Sequence, residues 1–126
     1  MLPAVGHPGE PALLNLPGTY DDYLSIAGPT RRNEVSASIA LDAMAHRPIR
    51  FPHRLTCPTL FQIADFDRCV SVDAAMKAAV RARAHIRHYP ADHFDVYPGK
   101  WWHDAVRAHQ AGFLTRALAV SAVDTR

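Results

Sequence analysis

An acidic residue leaves the end of a short apolar run at Asp65 or Asp67, and a histidine follows the next such run at His93. If the two runs are neighbouring parallel strands, the ligand crevice lies beyond their carboxyl ends, and acid and imidazole meet at one edge. A carboxylate beside an imidazole fixes the ring's tautomer and stabilises the cation formed when the ring takes a proton. Such a pair is a general base in need of a nucleophile. Spacing alone leaves a plainer reading open, in which Asp67 caps the loop and His93 is a surface histidine.

Strands are needed to place these groups. Thr59-Leu60-Phe61-Gln62-Ile63-Ala64 follows Cys57-Pro58 and has the length and β-rich composition of a buried strand. Asp65-Phe66-Asp67-Arg68 is the loop that leaves it. Ser71 can cap a helix reaching about Ala84, apolar at Ala75, Met76, Ala79 and Val80. His85 to Tyr89 is a second strand, ended by Pro90. After Pro98-Gly99 the pattern predicts a long helix from Trp101 to Leu118, with Trp102, Val106, Phe113, Leu114, Ala117 and Leu118 on one broad face, and fraying beyond Val120. A strand–helix–strand crossover makes the strands parallel, and parallel sheets need both faces covered. Two strands therefore describe one edge of a larger structure.

The first part of the chain differs in character. Leu2 to Gly18 is dense in Pro and Gly and reads as an irregular arm, which Leu13, Leu14 and Leu16 press against something. Thr19-Tyr20-Asp21-Asp22 is a capping-box variant that opens a helix through Tyr23, Leu24 and Ala27, stopped by Gly28-Pro29. A second helix is expected from Asn33, a good cap residue, to about His46, where Arg47-Pro48 ends it.

Cys57 to Asp67 resembles the α/β-hydrolase segment in which a Pro-led buried strand ends in G-x-x-D. Tyr89-Pro90-Ala91-Asp92-His93-Phe94-Asp95 resembles that superfamily's last strand and the G-x-H-F loop that delivers its histidine. The segment with Trp101, Trp102, Gln110 and Phe113-Leu114 is similar to its C-terminal helix. The resemblance runs from about Leu55 to Leu118, and Leu13 to Arg54 is similar to the cap or lid region that precedes that strand. It implies an α/β class, the C-terminal part of an α/β-hydrolase fold: two parallel strands, flanking helices and an N-terminal helical lid segment. The organisation it implies is an arm and lid over 1–54, a strand–helix–strand–helix unit over 55–120 and a tail over 121–126. It makes Asp67 the triad acid and His93 the triad base, with an ester-like small molecule as substrate and no cofactor.

Ala64 departs from the pattern, standing where Gly is usual, and Asp92 stands where Gly often precedes the histidine. Asp65 is a competing acid. Asp67 is preferred because the family's acid follows a short turn and precedes a hydrophobic run such as Cys69-Val70. The nucleophile elbow G-x-S-x-G does not occur in the sequence: Ser25, Ser36, Ser38, Ser71 and Ser121 all lack flanking glycines. An HGG-type oxyanion loop is missing too. Since the family orders its triad Ser, acid, His, the chain reads as carrying the last two members, with Met1 internal to a longer protein, and as inactive alone. The alternative is a non-catalytic dimerisation or protein-interaction module derived from a hydrolase, because open strand edges favour strand addition. The expected partner is a second copy in a homodimer or a complementary hydrolase half.

Composition narrows the remaining classes. The 126 residues are 48% hydrophobic and 21% charged, with a net charge of +2, as in one ordinary folded domain. That charge balance argues against nucleic acid and membrane surfaces as partners. No apolar run approaches the roughly 18 residues of a membrane span, and the N-terminus lacks the basic and apolar regions of a signal peptide. The two cysteines, Cys57 and Cys69, lack CxxC spacing and read as thiols in a reducing compartment; the expected location is cytoplasmic. His85 and His88, three apart on a strand, point to opposite faces, His103 and His109 are six apart on a helix, and His7, His46 and His53 are scattered, so no metal site is expected. Arg81, Arg83, Arg87 and Arg107 read as a solvated face, and Trp101-Trp102 as one core and one rim residue.

Overall fold

A computed structural model describes residues 1–39, 42, 46 and 50–123. The chain divides into two compact units, Met1–Pro48 and Ile49–Arg126.

In the first unit, the Pro- and Gly-rich residues are tied down by ladder-like bonds. Leu2 and Val35 form an antiparallel bridge, with N–H to C=O distances of 2.9 and 2.8 Å, and Val5 bridges Leu14 in parallel sense. Val5 is fully buried, so its backbone groups need partners other than water. The Asn33 side chain supplies both: its Oδ1 accepts from the Val5 N–H at 2.9 Å and its Nδ2 donates to the Val5 carbonyl at 2.8 Å. Asn33 is therefore not the helix cap that the sequence predicts, because its amide is committed across the fold. Helical backbone in that stretch appears at Ser38, Ile39 and Asp42, and the rest of the predicted helix lies in part outside the described residues. Helix α1 spans Thr19–Ser25. Its N-cap is Gly18 in the left-handed region, φ 76°, and no side chain caps it. That turn places Thr19 inside the helix and buries it, which removes the predicted hydroxyl cap.

The second unit carries β1 (Leu60–Ala64), α2 (Val72–Arg81), β2 (His85–Tyr89) and α3 (His103–Val123). The two strands pair in parallel, Leu60 opposite His85 through Ala64 opposite Tyr89, as the crossover requires. Strand alternation puts Phe61, Ile63, Ile86 and His88 on one face and Leu60, Gln62, Ala64, His85, Arg87 and Tyr89 on the other. Among the described residues each strand is paired on one side only.

Helix α2 packs on β1 and on a 3-10 turn at Pro52–Arg54. Ser71 caps it as expected, its hydroxyl accepting from the Ala74 N–H at 3.2 Å. The helix stops short of Ala84 because Arg83 turns left-handed, φ 52°. The Arg83 N–H then donates to Val80 and the Ala84 N–H to Ala79, at 3.0 and 3.1 Å, the two bonds of a Schellman stop. Ala79 is fully buried, while Val80 is 65% exposed and lies off the packed stripe.

Helix α3 begins at His103, two residues later than predicted, and runs on to Val123. Trp101 is exposed before it, and Trp102 is half-buried with its ring 5.9 Å from that of Tyr89. Leu114 and Leu118 are exposed rather than part of the packed face. A helix of 21 residues is about 31 Å long, whereas a five-residue strand spans about 17 Å, so the last turns of α3 extend past the sheet. Among the described residues, no helix is long and apolar enough to cross a membrane.

Candidate active site

Backbone pairing continues past the ends of both strands. The Asp65 N–H donates to Tyr89 at 2.8 Å and the Phe66 N–H to Ala91 at 3.0 Å. These bonds lay the loop leaving β1 alongside the loop leaving β2. Asp67 and His93 meet there, with His93 Nδ1 2.8 Å from Asp67 Oδ2 and side chains 28% and 14% exposed, respectively. The other carboxylate oxygen is also engaged. Asp67 Oδ1 accepts from the Cys69 N–H at 2.8 Å and the Val70 N–H at 2.7 Å. Two backbone donors thus fix the carboxylate's rotation, and its free edge faces the ring. An ionised carboxylate only accepts, so the neutral ring carries its proton on Nδ1 and offers Nε2 as the acceptor.

Asp92 joins the two loops. Its Oδ1 accepts from the Arg68 N–H at 3.0 Å and from the His93 N–H at 2.6 Å, and its Oδ2 lies 3.0 Å from Arg68 Nε. The Asp92 N–H in turn donates to Asp95 Oδ2 at 2.8 Å. Among the described non-glycine residues only Arg83 has positive φ, so the backbone at Asp92 and at Ala64 does not require the glycine of the resembled pattern. Phe94 is buried below, its ring edge-on to His93 at 5.0 Å and 5.9 Å from the Arg68 guanidinium.

Asp65, the competing acid, lies elsewhere. Its Oδ1 is 2.6 Å from His88 Nδ1 in a more exposed pair. Sequence reasoning missed His88 as a partner, and the signal lay in the register: Ile63 opposite His88 puts that histidine beside the residues leaving β1. It also missed the clamp role of Asp92 and the proximity of Cys69. Asp67, Cys69 and His93 bring one ligand atom each to within 4.8 Å of one another. That sulfur, nitrogen and oxygen set is chemically suited to a borderline ion such as zinc. A metal on Asp67 Oδ2 or His93 Nδ1 would compete with their hydrogen bond. The remaining helical histidines have structural partners: His103 Nδ1 donates to the Val96 carbonyl at 3.1 Å, and His109 Nδ1 is 2.8 Å from the Tyr89 hydroxyl.

Chemically, the arrangement can take a proton at Nε2 while Asp67 holds the ring. No protein-family model and no solved structure matches the chain. Among curated proteins the chain is similar to the quorum-quenching protein AidA of Acinetobacter baumannii (strain MDR-ZJ06), with 32% identity over 123 residues covering 95% of this chain and 40% of AidA, so that it spans well under half of that relative's length.

Proposed function

We propose that the chain supplies the acid and base of a Ser-His-Asp type triad on the C-terminal part of an α/β-hydrolase fold, acting on an ester-like bond. In this reading His93 Nε2 takes the proton of an attacking hydroxyl and returns it to the leaving group, while Asp67 orients the ring. The nucleophile and the oxyanion donors come from outside these 126 residues, either from further sequence or from a complementary half. The observation that carries the reading is the 2.8 Å contact between Asp67 and His93 beyond the ends of adjacent parallel strands. The similarity to AidA adds a role, quorum quenching, which we extend to this chain as inactivation of a small signal molecule.

A second reading, a dimerisation or interaction module, draws on the outer edges of both strands, which are unpaired among the described residues. One experiment separates the two. The chain alone and the longest open reading frame containing it are assayed on short-chain esters. The triad reading expects turnover only in the longer protein, lost by His93→Ala or Asp67→Ala and kept by His88→Ala. Equal loss with His88→Ala, or a longer protein that is inert while the chain dimerises, would favour the module.

A further inference from the structure

We propose that the sheet face beneath α3 holds a second binding site, for an organic anion with a short apolar tail, at the opposite end of the strands from Asp67 and His93. Two clefts adjoin there. One, of about 130 Å³, is lined by Leu60, His85, Arg87, His109, Phe113 and Arg116 among others. The second, of about 210 Å³, shares His85, Phe113 and Arg116 with the first and is completed by Pro58 and Ala117. Among the described residues no Asp or Glu lines either cleft. Among the described residues no carboxylate pairs with Arg87 or Arg116.

The face is unusual for a parallel strand, where the residues under a helix are normally apolar. Here the α3 side of β2 carries His85 and Arg87, and α3 carries His109 and Arg116 beside them, all four exposed at the open rim of the clefts. Arg87 is exposed, as are Arg81 and Arg83, in keeping with a solvated face, and strand alternation places it on the α3 side of the sheet. A fixed hydrogen-bond chain adds a donor. Gln62 Nε2 donates to the Val106 carbonyl at 2.9 Å, which can only accept, and to the Tyr89 hydroxyl oxygen at 3.0 Å. The Tyr89 hydroxyl lies 2.8 Å from His109 Nδ1. When the hydroxyl donates to that nitrogen, neutral His109 carries its own proton on Nε2. Two guanidiniums with their planar forks, and imidazole donors beside them, suit a carboxylate or phosphate head group. The adjoining cleft, walled by Pro58, Phe113 and Ala117, suits the tail. Leu60 and His85 open their strands and the Asp67–His93 pair follows the strand ends, so that end of the cleft lies about 15 Å from the pair by strand rise, with Arg87 at mid-strand between them.

The test is an NMR titration of the full chain with hexanoate, hexyl phosphate, 1-hexanol and inorganic phosphate. We expect at least one hexyl anion to bind at least tenfold more tightly than both 1-hexanol and inorganic phosphate. Its shifts should centre on Leu60, His85, Arg87 and Phe113 and leave Cys69, Val70 and His93 unmoved. Arg87→Gln and Arg116→Gln should each weaken the anion about tenfold or more, the usual effect of losing one charged hydrogen bond, while Arg116→Lys retains most of the binding. Hexanol equal to the hexyl anions, inorganic phosphate equal to hexyl phosphate, indifference to both glutamine variants, or shifts centred on the Asp67–His93 loops would each overturn the proposal. The Asp67–His93 reading is unaffected by any of these results.

Discussion

Asp92→Ala removes the residue that fastens the acid-bearing loop to the base-bearing loop. The side chain makes three contacts: two backbone N–H groups on Oδ1, from Arg68 and His93, and the Arg68 guanidinium on Oδ2. Both side chains are under one-third exposed, 27% for Asp92 and 30% for Arg68. A buried hydrogen bond to a charged acceptor contributes about 1.5–3 kcal/mol, and partial exposure lowers this to roughly 1 kcal/mol for each amide. The ion pair contributes about 0.5–1 kcal/mol more. Asp92→Ala should therefore cost about 2–3 kcal/mol, whereas Asp92→Asn, which keeps the amide acceptor, should cost about 1 kcal/mol. The assay is urea unfolding followed by the fluorescence of Trp101 and Trp102, both in the second unit. With a slope near 1 kcal/mol/M, Asp92→Ala shifts the midpoint by about 2 M. The ¹⁵N signals of the His93 ring, one protonated nitrogen and one bare, should lose their distinction in the alanine variant as the ring comes free of Asp67. Equal losses for Ala and Asn, or a loss below about 0.5 kcal/mol for Ala, would show that Asp92 does not act as the fastener.

Two further outcomes are expected. Arg83→Gly should stabilise the second unit by about 1 kcal/mol in the same urea assay, because glycine takes the left-handed turn at φ 52° without the Cβ clash; a loss of stability would show that the Arg83 side chain contributes more than its backbone costs. Asn33→Ala should leave the buried N–H and C=O of Val5 without partners, a cost of about 2–4 kcal/mol, and speed hydrogen exchange at the Val5 amide by about 30-fold or more; an unchanged rate would refute the bridging role.

The elements written in local pattern were legible. His85 to Tyr89 is the strand the sequence predicts, β1 differs from its prediction by one residue, and Ser71 caps α2. Each of these follows from neighbours in sequence: alternation, a bounding proline, a hydroxyl before a helix. The positions of Asp67 and His93 relative to the strand ends point to their meeting, and the structure brings them together. Their catalytic roles rest on the proposal. What was not legible depends on residues distant in sequence. Asn33 serves Val5, 28 positions away, and nothing local distinguishes that use of an asparagine from a helix cap. The pairing of His88 with Asp65 and of His109 with Tyr89 needs the strand register and the placement of α3 before it can be seen. The span of α3 was underestimated because its last turns carry no apolar periodicity imposed by a sheet beneath them.

Among the described residues each strand pairs on one side only, and the two sides differ in their capacity to grow. β2 carries His85, Arg87 and His88 on its two faces, and charge on an edge strand disfavours a neighbouring strand. β1 has no such gatekeeper: Leu60-Phe61-Gln62-Ile63-Ala64 contains neither a charged residue nor a proline. On this asymmetry, a strand added to the sheet is expected to dock against β1 rather than β2. An unwanted neighbour would use the same open ladder. A lysine at an outward position of β1 should therefore suppress self-association at high concentration, while the same change in β2 leaves it as it was.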